Sequence, residues 1–363
     1  MILSKEIRRQ LTLTRRLLPS VESIIFANNS IILGGDRDFV RVDLPFSLME
    51  SLSLPSPVYI ETGASTIVNL LTSPGEFQVN PYKFVFTSSE SNSRTEMKTT
   101  ITPAREVPPE LLSHVTPEFS LSLSDPPKLA QLFKFLHQVS HLNVASSPMR
   151  DKFFVEISKD KISFFASNGA IINTFSLPVS FYAAGLERRL ILPSKILLGG
   201  TGAKKASKKL VIKCYPGVTL IDFDDGNFVA AVPKLNTEYI DLTHAYMYIK
   251  KCNHELAVEK PEDLSLPRQL SNRTKIARYI INPGDHLKIV PEEKDFTSNH
   301  ISNKICELEA NPLTVRLRYR EFNLSLSSYS SRLILRWPSE DPSFIVLDDG
   351  EKISVHATEL GAY

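Results

Sequence analysis

Between Lys5 and Arg16, five cations (Lys5, Arg8, Arg9, Arg15 and Arg16) interleave with leucines and one isoleucine. Guanidinium and ammonium groups so closely spaced are suited to binding anions, phosphate above all. A helical step of about 100° per residue sorts the stretch into two faces. Ile7, Leu11, Leu13, Leu17 and Leu18 fall on one side, and the cations gather on the other. Ser4 is the expected N-cap, and Pro19 stops the pattern by denying the next turn a donor. A solvated face, a membrane surface and nucleic acid all fit such a stripe. Its nearly single sign, broken only by Glu6, favours a polyanion, because like charges one turn apart repel by roughly a few tenths of a kcal/mol.

Other groupings carry less chemistry. The stretch G-G-T-G-A-K-K-A-S-K-K (Gly199 to Lys209) suggests a phosphate loop, but it lacks the G-x-x-x-x-G-K-[ST] spacing and reads as a flexible basic loop. His137 and His141 stand one helical turn apart, as zinc ligands do, without the glutamate of a metalloprotease or an evident third ligand. The acids of I-D-F-D-D-G (Ile221 to Gly226) precede a glycine at a strand end, where turn chemistry accounts for them. No Ser-His-Asp or Cys-His grouping can be assembled from spacing. No catalytic residue, metal or cofactor is expected, and an enzyme is the least supported class.

A chain of 363 residues accommodates two or three domains with cores of their own. No apolar run approaches the roughly 20 residues needed to span a bilayer, and the start M-I-L-S-K-E lacks the apolar core of a signal peptide. Cys214, Cys252 and Cys306 are odd in number and far apart, so neither a disulfide framework nor a zinc cluster is indicated. A soluble, cytoplasmic protein is expected. The net charge is only +2, so attraction to a polyanion rests on local placement of charge.

Placing the basic stripe requires the rest of the chain, which repeats itself. Ser23 to Pro45 reads as strand, Asn-Asn turn, strand, Gly-Gly turn, strand. Phe153 to Pro178 reads the same way, with turns at Lys159-Asp160 and Asn168-Gly169, and Ala277 to Phe296 opens alike, turning at Pro283-Gly284. A second half-unit, a strand followed by a short helix and further strands, begins at Val58 and again at Leu190 and Leu313. Corresponding points lie roughly 125 residues apart, the size of one domain. Each unit has room for an earlier helix: the basic one, then Pro126 to Leu142, then Lys260 to Lys275, where Pro267 should start or break it. The expectation is an α+β chain of three similar domains (1–112, 113–238 and 239–363), each with two helices on antiparallel sheet.

This order of elements resembles the bacterial β sliding clamp family, the β subunit of DNA polymerase III. The middle unit carries most of the resemblance. I-S-K-D-K-I-S-F-F-A-S-N-G-A-I-I-N is similar to the family's strand, turn and A-T-D-G-H-R-L segment, and L-I-L-P-S-K-I-L-L to its strand-P-x-K-helix segment. D-D-G-N-F-V-A-A-V-P-K-L-N-T-E-Y is similar to its L-x-x-G-x-F-P-x-Y boundary, and the third unit matches at N-P-G-D-H-L-K-I and Y-R-E-F-N-L-S-L. The resemblance spans nearly the whole chain at the level of pattern. It implies a closed ring, most simply a homodimer, whose helices line a bore for duplex DNA and which raises the processivity of a DNA polymerase. The cations facing such a bore would be Lys5, Arg8, Arg9, Arg15 and Arg16, with Lys128, Lys134, Lys204, Lys205 and Arg273 from later segments. Contact with phosphate would be independent of sequence and screened by salt, as sliding requires. A clamp-like scaffold without ring closure and a β-rich structural (virion) protein are the alternatives.

The resemblance also implies a cleft accepting short apolar motifs of the polymerase and the clamp loader, lined here by Gly169, Ala170, Ile171, Ile172, Leu235 and Val355. Two departures fall on it. Ala170-Ile171 replaces the family's His-Arg after D-G, and the chain ends T-E-L-G-A-Y where the family ends P-M-R-L or similar. Clamps of this family are usually strongly acidic, and the balance here fits a divergent version of the kind a phage or plasmid encodes.

Overall fold

Alternating residues in the first repeat form a meander. Strands Ser23–Phe26, Ser30–Gly34 and Phe39–Asp43 pair antiparallel, with Ile25 opposite Ile32 and Leu33 opposite Val40. The structure, a computed structural model, describes the chain outside residues 19, 55–56, 81, 100–106, 113–114, 144–146, 159–160, 179–187, 202–208, 224–226, 235–242, 267–273, 282–287, 293–299, 302–312, 339–342 and 359–363. The chain divides into two compact units, Met1–Gln131 with Lys195–Asn236, and Leu132–Ser194 with Thr237–Tyr363.

In the first unit an eight-stranded antiparallel sheet runs, edge to edge, Val58–Ile60, Ser23–Phe26, Ser30–Gly34, Phe39–Asp43, Phe228–Pro233, Val218–Asp222, Lys209–Cys214 and Phe119–Ser124. Its first four strands come from the first repeat and its last four from the second, joined where Val229 pairs with Arg41. Helices Lys5–Leu17 and Ala64–Thr72 pack on each other. Phe26, Phe77 and Phe84 lie buried with ring centroids 6.0 to 6.5 Å apart. A separate core holds Ile25, Ile32, Tyr59, Leu220 and Val229 against Leu111 of the short helix Pro109–Leu112. Strands Gly75–Asn80, Lys83–Ser88 and Arg94–Lys98 form a three-stranded sheet.

The second unit repeats the plan. Its eight strands run Arg188–Pro193, Lys152–Ile157, Lys161–Ser167, Ile171–Pro178, Lys352–Ala357, Phe344–Asp348, Leu333–Trp337 and His254–Val258. Here four strands of the second repeat join four of the third, again between corresponding strands. Phe133, from helix Pro126–Ser140, packs against Phe153, Phe164 and Phe175 at 5.4 to 6.1 Å. A four-stranded sheet orders His300–Ile301, Lys288–Pro291, Ile276–Ile281 and Leu313–Arg318.

One expectation changes, one segment is described only in part, and one helix is additional. The glycine run is helical at its start, because Ser194–Thr201 is a helix, while residues 202–208 lie outside the described residues. A Cβ on Gly199 would sit 2.1 Å from Leu17 Cδ2, and one on Gly200 would sit 2.0 Å from Phe223 Cε1. Close packing therefore explains these glycines, and no anion loop is needed. Where the third repeat should begin with a helix, the described residues hold a 3₁₀ turn, Pro261–Leu264, and Pro267 itself lies outside them. A helix that was not anticipated, Thr243–Lys251, precedes it. The turns at Lys159-Asp160 and Pro283-Gly284, and Cys306, also lie outside the described residues. Among the described residues no helix is long and apolar enough to cross a membrane.

Candidate nucleic-acid and peptide interfaces

The basic helix begins as its sequence demands. Ser4 Oγ accepts the Ile7 N–H at 3.3 Å, and the helix ends at Leu17 with Leu18 extended. Ile7, Leu11, Thr14 and Leu17 are its buried residues. Leu13, expected in the apolar stripe, is only half-buried, and Thr14 takes the inward position. A threonine is tolerated there because its hydroxyl donates to Gln10 O at 2.9 Å, so no buried polar atom is left open. Lys5, Arg15 and Arg16 are exposed, whereas Arg8 and Arg9 are half-buried. Arg9 also reaches Glu6 at 3.8 Å, a weak surface pair. Arg15 and Arg16 occupy the last turn, where positive charge complements the helix dipole.

Helix Pro126–Ser140 starts with Asp125, whose Oδ1 accepts the Lys128 N–H at 3.1 Å. Lys128 and Lys134 are exposed on it, opposite buried Leu129, Leu132, Phe133, Leu136 and Val139. Lys204, Lys205 and Arg273 lie outside the described residues. His137 and His141 stack at 5.2 Å, and the Nδ1 of each faces a local partner. His137 Nδ1 meets Ser194 Oγ at 3.1 Å, and His141 Nδ1 meets His137 O at 2.7 Å. Among the described residues no group of three His, Cys, Asp or Glu side chains could hold a metal.

The candidate cleft starts from the turn at Asn168-Gly169. Asn168 Oδ1 accepts from Ala170 N and Ile171 N at 3.0 and 2.8 Å, and Gly169 adopts φ +89°, which suits a residue without Cβ. Beyond the turn, strand Ile171–Pro178 alternates. Ile172 sits opposite Val355 on the next strand. Together with Phe344, Val346, Ile353, Ile249 and Cys252 these two form one apolar cluster. Ile172 also joins a second cluster on Phe154 and Phe165, with Met149 and Ile191 at its edge. Ile171, one residue earlier, is 2% exposed and projects from the other face, so it does not line the same surface as Ile172. Gly169 is exposed, Ala170 is half-buried with its carbonyl taken by Ala357 N at 2.8 Å, and Leu235 lies outside the described residues. Sequence reading missed Ile249 and Cys252, although Tyr248, Ile249 and Cys252 follow a helical spacing interrupted by Lys250 and Lys251.

On the opposite face of the same strands is a buried polar chain. Asn173 Nδ2 donates to Phe135 O at 2.9 Å, and Ser354 Oγ donates to Asn173 Oδ1 at 2.6 Å. His356 Nε2 lies 2.8 Å from Ser354 Oγ. With the hydroxyl proton given to Asn173, the bond from His356 requires Nε2 to donate, which fixes the neutral tautomer. Burial pushes the His356 imidazole down to about 3, so it stays uncharged.

No protein-family model matches the sequence, and no curated protein matches it. Solved structures do. The DNA polymerase III subunit β from Pseudomonas aeruginosa aligns over 99% of both chains with a TM-score of 0.75 and 14% identity. The β subunit from DNA polymerase of Streptococcus pyogenes aligns over 99% of both chains at 0.75 and 15% identity. The Helicobacter pylori β clamp bound to a DNA ligase peptide aligns over 99% of both chains at 0.75 and 12% identity. Along its whole length, then, this chain has the fold of the DNA polymerase III β subunits.

Proposed function

We propose that the chain is a DNA sliding clamp, a non-enzymatic ring that tethers a DNA polymerase to duplex DNA. The observation that carries this reading is the way the repeats share sheets. Between the first and second repeats, and again between the second and third, strands on corresponding edges merge two four-stranded halves into eight. Among the described residues one half is left over at each end of the series: the sheet ending at Arg94–Lys98 and the sheet ending at His300–Ile301. The same rule applied between two copies pairs these edges head to tail, and two copies close a ring of six repeats in three domains each, 1–112, 113–238 and 239–363. Such closure pairs these two edges with each other and leaves neither open to further chains.

In this ring the first helix of each copy presents Lys5, Arg15 and Arg16 to phosphate, with further contacts from Arg8, Arg9, Lys128, Lys134, Lys204, Lys205 and Arg273. Contacts of that kind hold duplex without reading it. The polymerase and the clamp loader dock short apolar motifs on the face carrying Ile172 and Val355, and linkage by the ring turns each rebinding into an intramolecular event. A clamp-like scaffold that does not close is the second reading.

The test replaces Lys5, Arg15 and Arg16 together by Gln, which removes charge without opposing the helix dipole. Duplex affinity falls for every sequence alike. The slope of log K against log salt flattens by about 0.9 for each phosphate that is no longer neutralised. An unchanged slope returns the helix to the status of a solvated face.

A further inference from the structure

The seams where two repeats merge correspond residue for residue, and they differ most in the chemistry of one face. Each incoming strand leaves its hairpin turn from an equivalent pair, Gly34 opposite Phe39 in the first repeat and Ser167 opposite Ile172 in the second. Phe39 therefore corresponds to Ile172, and Val40 to Asn173. Across the seams Ala231 faces Phe39 and Val355 faces Ile172, so Ala230 corresponds to Ser354 and Val232 to His356. On the face opposite Phe39 the first seam buries Val40, Ala230 and Val232, which are all apolar. On the face opposite Ile172 the second seam buries Asn173, Ser354 and His356, all polar. These three are joined by the bonds of 2.6 Å from Ser354 to Asn173 and 2.8 Å between His356 and Ser354. Asn173 also donates to Phe135 O at 2.9 Å, which anchors the chain of bonds to a helix of its own repeat.

Apolar residues of similar shape can replace both partners of a buried hydrogen bond at little loss, so stability alone does not call for this arrangement. Selection does, because a buried polar group is satisfied only by the right neighbour and is left without a partner by any other. If strand Ile171–Pro178 paired with Phe228–Pro233, Asn173 would meet Ala230 and lose the Ser354 hydroxyl. If strand Phe39–Asp43 paired with Lys352–Ala357, Ser354 would meet Val40 and lose Asn173. The outward pairs Phe39–Ala231 and Ile172–Val355 are both apolar and oppose such an exchange less. We propose that Asn173, Ser354 and His356 are a recognition code between sheet edges. It makes the second repeat accept the third and reject an equivalent edge with an aliphatic buried face, the strand Phe228–Pro233 of another copy. The code belongs to seams inside one chain, and it stands whether or not two copies close a ring.

The test makes the second seam apolar like the first, with Asn173→Val, Ser354→Ala and His356→Leu in one full-length chain. Pairing is read by thiols at the end of the seam. Ala357 N donates to Ala170 O at 2.8 Å, so Ala170→Cys with Ala357→Cys reports the native pairing. Pro233 corresponds to Ala357, because Val218 pairs with Pro233 as Phe344 pairs with Ala357. Ala170→Cys with Pro233→Cys therefore reports the exchanged pairing. Each chain is refolded from urea at micromolar concentration and treated with a short bifunctional thiol reagent, and the linked peptides are identified by mass spectrometry. With the polar residues in place, the native pair should link and the exchanged pair should not. The apolar triple variant should keep a cooperative melt and link the exchanged pair about tenfold more, the ratio that one matched buried hydrogen bond supplies. An exchanged link no more frequent in the triple variant overturns the proposal, as does one already abundant beside the polar residues. Loss of the cooperative melt overturns it too, since the three residues would then hold the strands together rather than choose between them. Absence of the native link in the otherwise unaltered chain overturns the seam and the code together.

Discussion

His356 lies 2.8 Å from Ser354 Oγ and is held neutral by burial. Its folded value near 3 stands below the ordinary 6.5, so the unfolded chain takes up a proton over a range where the native chain does not. Stability from this residue is complete above about pH 6.5 and is lost as pH falls towards about 3, at up to about 1.4 kcal/mol per unit. His356→Gln keeps a donor for Ser354 and cannot charge. Its penalty, measured by chemical denaturation, should shrink steadily between about pH 6.5 and about pH 4.5. A penalty independent of pH would mean that His356 is charged in the native state or exposed to water. None of this network was legible in the sequence. Asn173 and Ser354 are 181 positions apart, and only the register of two strands from different repeats brings them together.

Elements were legible where one local rule governed them. The meander of the first repeat follows from alternation and from its Asn-Asn and Gly-Gly turns, and Ser4 caps its helix as a serine in that position should. The rule failed where packing outvoted hydropathy. Thr14 goes inward because its hydroxyl is satisfied within the helix, and Leu13 is left half-buried. Helix Thr243–Lys251 escaped notice because its apolar residues run consecutively from Ala245 to Ile249 and its last turn is cationic. The glycine run G-G-T misled for the opposite reason: its composition suggests a loop, whereas close approach to Leu17 and Phe223 demands small residues in a helix. That approach sets how the basic helix is seated in the first unit. Gly200→Ala should cost about 1–3 kcal/mol through overpacking against Phe223, although alanine is the better helix former. Phe223→Leu should recover part of the loss. If Gly200→Ala raises the melting temperature, the close approach does not exist in solution and propensity alone governs the site.

For the molecule as a whole, the proposed ring closure depends on two sheet edges that no described residue fills. Arg94–Lys98 is charged and exposed at Arg94, Glu96 and Lys98, and Glu96 pairs with Lys83 beside it. Charges of this kind discourage indiscriminate strand pairing and still permit one specific partner. Of two consecutive residues in an edge strand, one points its N–H away from the neighbouring strand, and proline there removes a donor without breaking the sheet. Thr95→Pro and Glu96→Pro, made separately, should therefore differ, one of them giving folded monomers in sedimentation velocity. If neither variant changes the association state, the edge is not an interface.

The three repeats, the merged sheets and the basic helix meet in a single claim, that two chains close around a hole. Small-angle X-ray scattering of the purified full chain, without metal, nucleotide or loader, tests it most directly. A closed pair should show a mass twice the 40.8 kDa of one chain and a distance distribution depleted at short separations by an empty centre. A particle of single-chain mass at micromolar concentration, or a dimer without a central hole, would contradict it.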